Sequence, residues 1–173
     1  MRRALKLLVL LVLAVIATEV WHRGRGGAPA EGKPAPPLAL STLDGRRVDL
    51  QHLRGRAVAL NFWASWCGPC QQELPELAAF ARERRGQCFE LVSVAAWSGR
   101  DDVARAANDL PFTVLFDDAG EAVDTWKVSG VPRTYVIDPE GRIRAEFRGA
   151  VTPRELAAAV TPLVPESCPA PAG

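Results

Sequence analysis

The chain has only two histidines in 173 residues, His22 and His52, neither at ligand spacing from a partner, and it has no second Cys-x-x-Cys. A structural zinc site groups four Cys or His ligands in pairs. The single Cys67-Gly68-Pro69-Cys70 therefore supplies half a site, and no resident metal is expected. No nicotinamide or flavin fingerprint is present, which leaves no motif for a bound organic cofactor. Lys and Arg total 21 against 20 acidic residues and form no basic patch, so nucleic acid is not an expected partner. There is no internal repeat, and no cysteine near the N-terminus to carry a lipid. The longest apolar run, Leu5 to Ala17, is broken by Lys6 and falls short of the about 20 residues of a full membrane span.

That run is nevertheless the first feature that is present. Arg2 and Arg3 precede it, and a basic segment followed by a short apolar one reads as an export signal. Val15-Ile16-Ala17 offers a place to cut. Against cleavage, Thr18-Glu19-Val20-Trp21 lacks a small polar stretch, and Trp21 suits an interfacial anchor. The reading adopted is an uncleaved signal/anchor over residues 1–21. The basic end stays inside, and the rest lies on the periplasmic face of the inner membrane, or free in the periplasm if the segment is cut. Charge is distributed to match: residues 1–27 hold five basic residues and one acidic, and the remainder holds sixteen against nineteen, a net of −3. Residues 22–37, rich in Gly, Pro, Ala and charge, read as a flexible linker with His22 solvated. Residues 38–164 suit one domain with a single core. Residues 165–173 read as a loose, Pro-rich tail apart from Cys168.

Within the domain, Asp44-Gly45 predicts a turn between short strands at 38–40 and 46–50, a small N-terminal hairpin, with His52 on the surface beyond it. Ala57 to Trp63 is an almost continuous apolar run, as in a strand buried on both faces. It leads through Cys67-Gly68-Pro69-Cys70 into a helix that Pro75 should kink and that Gly86 should cap. Phe89 to Ala96 is a second buried strand, parallel to the first. Asp101 and Asp102 are expected to cap a helix through Asn108. Further strands at 112–116, 134–138 and 142–147 and a short helix at 121–127 follow. Thr152-Pro153-Arg154-Glu155 is a capping box that opens the last helix, to about Leu163.

The placement of Cys67 at a helix N-terminus favours its thiolate, because unpaired N–H groups and the positive end of the helix dipole meet there. The thiolate is the nucleophile of disulfide exchange. Cys70, one turn on, faces back and can close the pair.

Asn61-Phe62-Trp63-Ala64-Ser65-Trp66-Cys67-Gly68-Pro69-Cys70-Gln71-Gln72-Glu73-Leu74-Pro75 resembles the thioredoxin superfamily, and within it the TlpA/ResA-like branch of membrane-tethered or secreted thiol–disulfide oxidoreductases. The resemblance implies an α/β thioredoxin fold, a central mixed sheet flanked by helices, with an N-terminal hairpin and a strand–helix insertion. It implies Cys67 as attacking nucleophile, Cys70 as resolving thiol, and Gly68-Pro69 as the spacer of a reductant. Gly130-Val131-Pro132-Arg133-Thr134-Tyr135 is the second signature. The resemblance makes Pro132 cis and sets Val131 to pair its backbone with an extended client. Trp66 is expected to shield the site and touch clients, with Trp63 in the core and Trp97 and Trp126 confined to packing. Thioredoxins usually carry a buried Asp where this chain has Asn61, a departure that removes one proton acceptor. Glu73, at i+3 from Cys70, matches the branch's carboxylate and could serve as general base.

In that fold Cys88 starts the second strand at the far pole, where the last helix also ends, so Cys88 and Cys168 are expected to form a structural disulfide. An inert buried Cys88 with a free or intermolecular Cys168 is the other reading. Implied partners are protein thiols and disulfides, among them apocytochrome c Cys-x-x-Cys-His segments and copper-site thiols, and a membrane electron donor. The redox-active Cys67–Cys70 disulfide stands in place of a cofactor, and the protein is expected to act as a monomer. Disulfide oxidation or isomerisation, and copper carriage by the Cys67/Cys70 pair, remain as alternatives. A peroxidase is disfavoured, since it would want an isolated cysteine.

Overall fold

The computed structural model describes residues 30–168. Its elements are strands β1 (Ala39–Thr42), β2 (Arg47–Asp49), β3 (Ala57–Trp63), β4 (Phe89–Ala96), β5 (Thr113–Asp117), β6 (Arg133–Ile137) and β7 (Ile143–Arg148), with helices α1 (Gly68–Glu83), α2 (Arg100–Ala107), α3 (Glu121–Trp126) and α4 (Pro153–Val160). The strands form one sheet in the order β2-β1-β5-β4-β3-β6-β7. β3, β4 and β5 are parallel to one another, and β6 and β1 run antiparallel to their inner neighbours.

All seven residues of β3 are buried, because helices cover both faces. Val58, Leu60 and Phe62 point to the α3 face and meet Trp126, Tyr135 and Leu115. Ala57 and Ala59 point to the other face, where their small side chains let Leu77 and Phe80 of α1 and Leu156 and Val160 of α4 approach. α1 buries Cys70, Glu73, Leu74, Leu77, Ala78 and Phe80, one stripe at helical spacing, and Pro75 sits on the exposed side. The capping box of α4 is complete: the Thr152 hydroxyl accepts from the Glu155 N–H, and Glu155 accepts from the Thr152 N–H.

Several local expectations need correction. Residues 32–35 are not a loose linker. The Gly32 N–H donates to the Ile143 carbonyl at 2.7 Å, the Ile143 N–H to the Lys33 carbonyl, and the Ala35 N–H to the Gly141 carbonyl, so this stretch edges β7 and its preceding turn. Gly99, not Asp101 or Asp102, is the N-cap of α2, without a side-chain bond; the two acids lie in the first turn. α1 stops at Glu83 with Arg84 as C-cap, and Gly86 takes the left-handed turn (φ +85°) two residues later. The expected N-terminal hairpin is present as β1 and β2, and β1 also pairs with β5, so the hairpin extends the main sheet. The expected 1–21 anchor lies outside the described residues; among those described, no helix is long and apolar enough to cross a membrane.

Candidate active site

β3 delivers the chain to the sheet's C-terminal edge, and Cys67 becomes the N-cap of α1 with extended backbone (φ −83°, ψ 106°). Pro69, within the first two helical positions, lacks an N–H where the helix has no partner for one. Cys67 and Cys70 are joined in a disulfide, with Cα atoms 5.2 Å apart. The Cys70 N–H donates to Cys67 Sγ at 3.2 Å, so a helix-terminal donor already points at the sulfur that would carry charge. Cys67 keeps 5 % of its surface exposed and Cys70 none, while Gly68 and Pro69 lie open to solvent. Of the two cysteines, only Cys67 keeps any exposed surface.

The Val131–Pro132 bond is cis, and the Val131 carbonyl oxygen lies 3.8 Å from Cys67 Sγ. Among the described residues, the Val131 N–H makes no hydrogen bond.

Beneath the disulfide lies a buried polar row. Ser93, Asn61 and Thr134 are register neighbours across β4, β3 and β6, and all three are fully buried. Glu73 comes down from α1 onto this row, 3 % exposed. Its carboxylate accepts from the Asn61 amide at 3.1 Å and from the Val151 N–H at 2.7 Å, and the same amide donates to Thr134 Oγ1 at 2.9 Å. Burial pushes the Glu73 carboxyl above the usual carboxylate range, and the two donors offset this in part. Asn61 is therefore more than a missing acceptor, since it supplies a donor that holds Glu73 in place.

Trp66 is 65 % exposed beside Cys67, and its Nε1 donates to the Trp97 carbonyl at 2.7 Å. Trp63 is fully buried. Trp97 is not confined to packing: it is 44 % exposed and adopts a left-handed conformation (φ 48°) just past β4. The next residue, Ser98, accepts from the Ser65 N–H at 2.9 Å, so the 97–98 turn clamps the segment before Cys67. The sequence signal for this was slight, a tryptophan at the first residue after an apolar strand.

At the opposite pole Cys88 and Cys168 form a second disulfide, Cα atoms 5.1 Å apart across 80 residues of chain. Among the described residues, no cluster of three or more His, Cys, Asp or Glu could hold a metal.

Comparison with known proteins agrees with this geometry. The AhpC/TSA family model matches residues 32–146. The thioredoxin-like protein YneN of Bacillus subtilis is 36 % identical over 131 residues, covering 73 % of this chain and 76 % of YneN. The thiol–disulfide oxidoreductase ResA of the same organism is 33 % identical over 125 residues, covering 71 % of this chain and 70 % of ResA. Among solved structures, DsbF of Mycobacterium tuberculosis, in mixed oxidised and reduced forms, superposes with a TM-score of 0.67 at 30 % identity, covering 73 % of this chain and 94 % of DsbF.

Proposed function

Because the chain belongs to the AhpC/TSA family, has the thioredoxin fold and is a thiol–disulfide oxidoreductase of the ResA type, we propose that it reduces disulfides of client proteins outside the cytoplasm. The observation that carries this reading is the disulfide itself: Cys67 at the helix N-cap, the Val131 carbonyl beside it, and buried Glu73 behind Cys70.

In the reduced protein the Cys67 thiolate attacks one sulfur of a client disulfide and releases the other as a thiolate. Cys70 gives its proton to Glu73, and the Cys70 thiolate then attacks Cys67 Sγ. That step frees the second client thiolate and closes Cys67–Cys70, so two electrons have passed to the client. The raised proton affinity of Glu73 makes it a better acceptor at this step than an ordinary carboxylate. Val131 offers its N–H and C=O to an extended client segment, Trp66 and the open Gly68-Pro69 turn frame it, and Pro132 holds the strand entry beside the sulfurs.

The clients are apocytochrome c Cys-x-x-Cys-His segments or copper-site thiols. A membrane electron donor restores the dithiol, and no separate cofactor takes part. The protein acts as a monomer held at the periplasmic face by residues 1–21.

The test uses an oxidised Cys-x-x-Cys-His peptide. The Cys70→Ser protein should hold it as a stable adduct at Cys67 by mass spectrometry, and Cys67→Ser should hold none. The wild-type dithiol should release the reduced peptide. A wild type that leaves the peptide oxidised, and instead oxidises the reduced peptide, would overturn the reductive direction.

A further inference from the structure

Trp66 and Trp97 are the two large apolar side chains exposed among the described residues, and they are neighbours. Isolated exposed apolar residues need no explanation, but two exposed tryptophans beside a nucleophile, the indole N–H of one bonded to the backbone carbonyl of the other, form a contact surface. The sheet register shows where that surface leads. Ala64, Ala96 and Asp117 sit level at the C-terminal ends of the parallel strands β3, β4 and β5, since Trp63 pairs with Ala95 and Ala96 with Asp117. The loops that follow carry Trp66 and Cys67 above β3, Trp97 above β4 and Asp118 above β5. They form one row across the edge of the sheet.

Beyond Trp97 the row ends in a hollow lined by the indole together with Ser98, Asp117, Asp118 and Asp124, with no basic residue in its lining. Asp117 is committed to the fold, because its carboxylate accepts from the Ala122 and Val123 N–H groups at the start of α3. Asp118 and Asp124 are exposed and form no ion pair among the described residues. Arg100, at the start of α2, is turned to the Leu43 carbonyl and stacks on Phe116. A tryptophan beside two exposed carboxylates that form no ion pair among the described residues matches the chemistry of a Lys or Arg side chain.

We propose that the Trp66–Trp97 surface and its acidic end bind an extended client segment carrying a Lys or Arg about three residues from the cysteine that Cys67 attacks. The spacing follows from the strands: β3 and β5 lie two strand separations apart, about 10 Å, and an extended chain crosses that in about three residues at about 3.3 Å each. The patch is continuous with Cys67 and Val131, so one client chain engages all of it. This deepens the proposed reduction of client disulfides and rests on it.

The test takes the full chain, reduced, and three peptides that differ only in having Lys, Gln or Glu three residues from a cysteine held in a disulfide with glutathione. Cys67 attacks, Cys70 closes the ring, and one peptide thiol and one glutathione are released per Cys67–Cys70 formed. The Lys peptide should react about tenfold faster than the Glu peptide at low salt, with Gln between them, and the ratio should shrink in about 0.5 M salt as screening takes over. In Asp118→Asn/Asp124→Asn the ratio should fall to within twofold, and Asp118→Lys/Asp124→Lys should reverse it, with circular dichroism verifying that each variant is folded. Equal wild-type rates for Lys and Glu, or a preference that survives Asp118→Asn/Asp124→Asn, would overturn the proposal. Failure to reduce any of the three peptides would instead count against the reductase reading itself.

Discussion

Glu73 is the residue whose chemistry and energetics are most tightly joined. Its carboxyl binds a proton more readily in the folded chain than unfolded, chiefly because burial disfavours the charge. Between the ordinary value of 4.5 and the raised one, the native state holds more protons than the unfolded state, so stability falls as pH rises through that window. Glu73→Gln removes the buried charge and keeps an acceptor for the Val151 N–H. Its melting temperature should exceed wild type at neutral pH, with the gap closing below pH 4.5, while release of the Cys67-bound client should slow by about 100-fold, the lower end of what a general base contributes. A melting series from pH 4 to 8 with stopped-flow release reads both. Asn61→Asp would set a second carboxylate beside Glu73, where the amide now donates at 3.1 Å. The acid limb of the pH–rate profile should move to higher pH, and an unmoved limb would mean that Asn61 does not govern Glu73. Glu73 itself was legible in the sequence, because i, i+3 spacing from Cys70 is a local fact. Its partner Val151 lies 78 residues away and leaves no local signal.

At the scale of elements, the strands and helices that carry strong periodicity or apolar runs were readable to within a residue or two, including β3, β4 and the capping box of α4. What escaped was set by long-range pairing. Asp101 and Asp102 are good capping residues in isolation, yet the chain leaves β4 through Trp97 and Ser98 and enters α2 at Gly99, which puts both acids inside the helix. Residues 32–35 have linker composition, and only the exposed backbone beside β7 makes them part of the structure. The short helix α3 is held mainly by Trp126, fully buried with its ring centroid 4.9 Å from Tyr135 and 5.8 Å from Phe62, and with Nε1 3.3 Å from the Pro37 carbonyl. Trp126→Ala should cost about 3–5 kcal/mol in urea unfolding. A loss under 1 kcal/mol would show that α3 is not anchored there.

For the whole molecule, the two disulfides divide the labour. Cys67–Cys70 closes a three-residue separation at an accessible edge, whereas Cys88–Cys168 spans 80 residues and ties the end of the chain to the start of β4. Loop entropy gives the long bridge a contribution on the order of 4 kcal/mol, so Cys88→Ser/Cys168→Ser should unfold at markedly lower urea with an intact Cys67–Cys70 couple. Unchanged stability would mean that the bridge does not constrain the unfolded chain. The central claim, that this is a reductant, is tested most directly by equilibrating the protein in glutathione and dithiothreitol buffers and reading each cysteine by alkylation and mass spectrometry. A Cys67/Cys70 couple below about −200 mV is the predicted result. A couple near about −120 mV, the range of a strong oxidant, would contradict it.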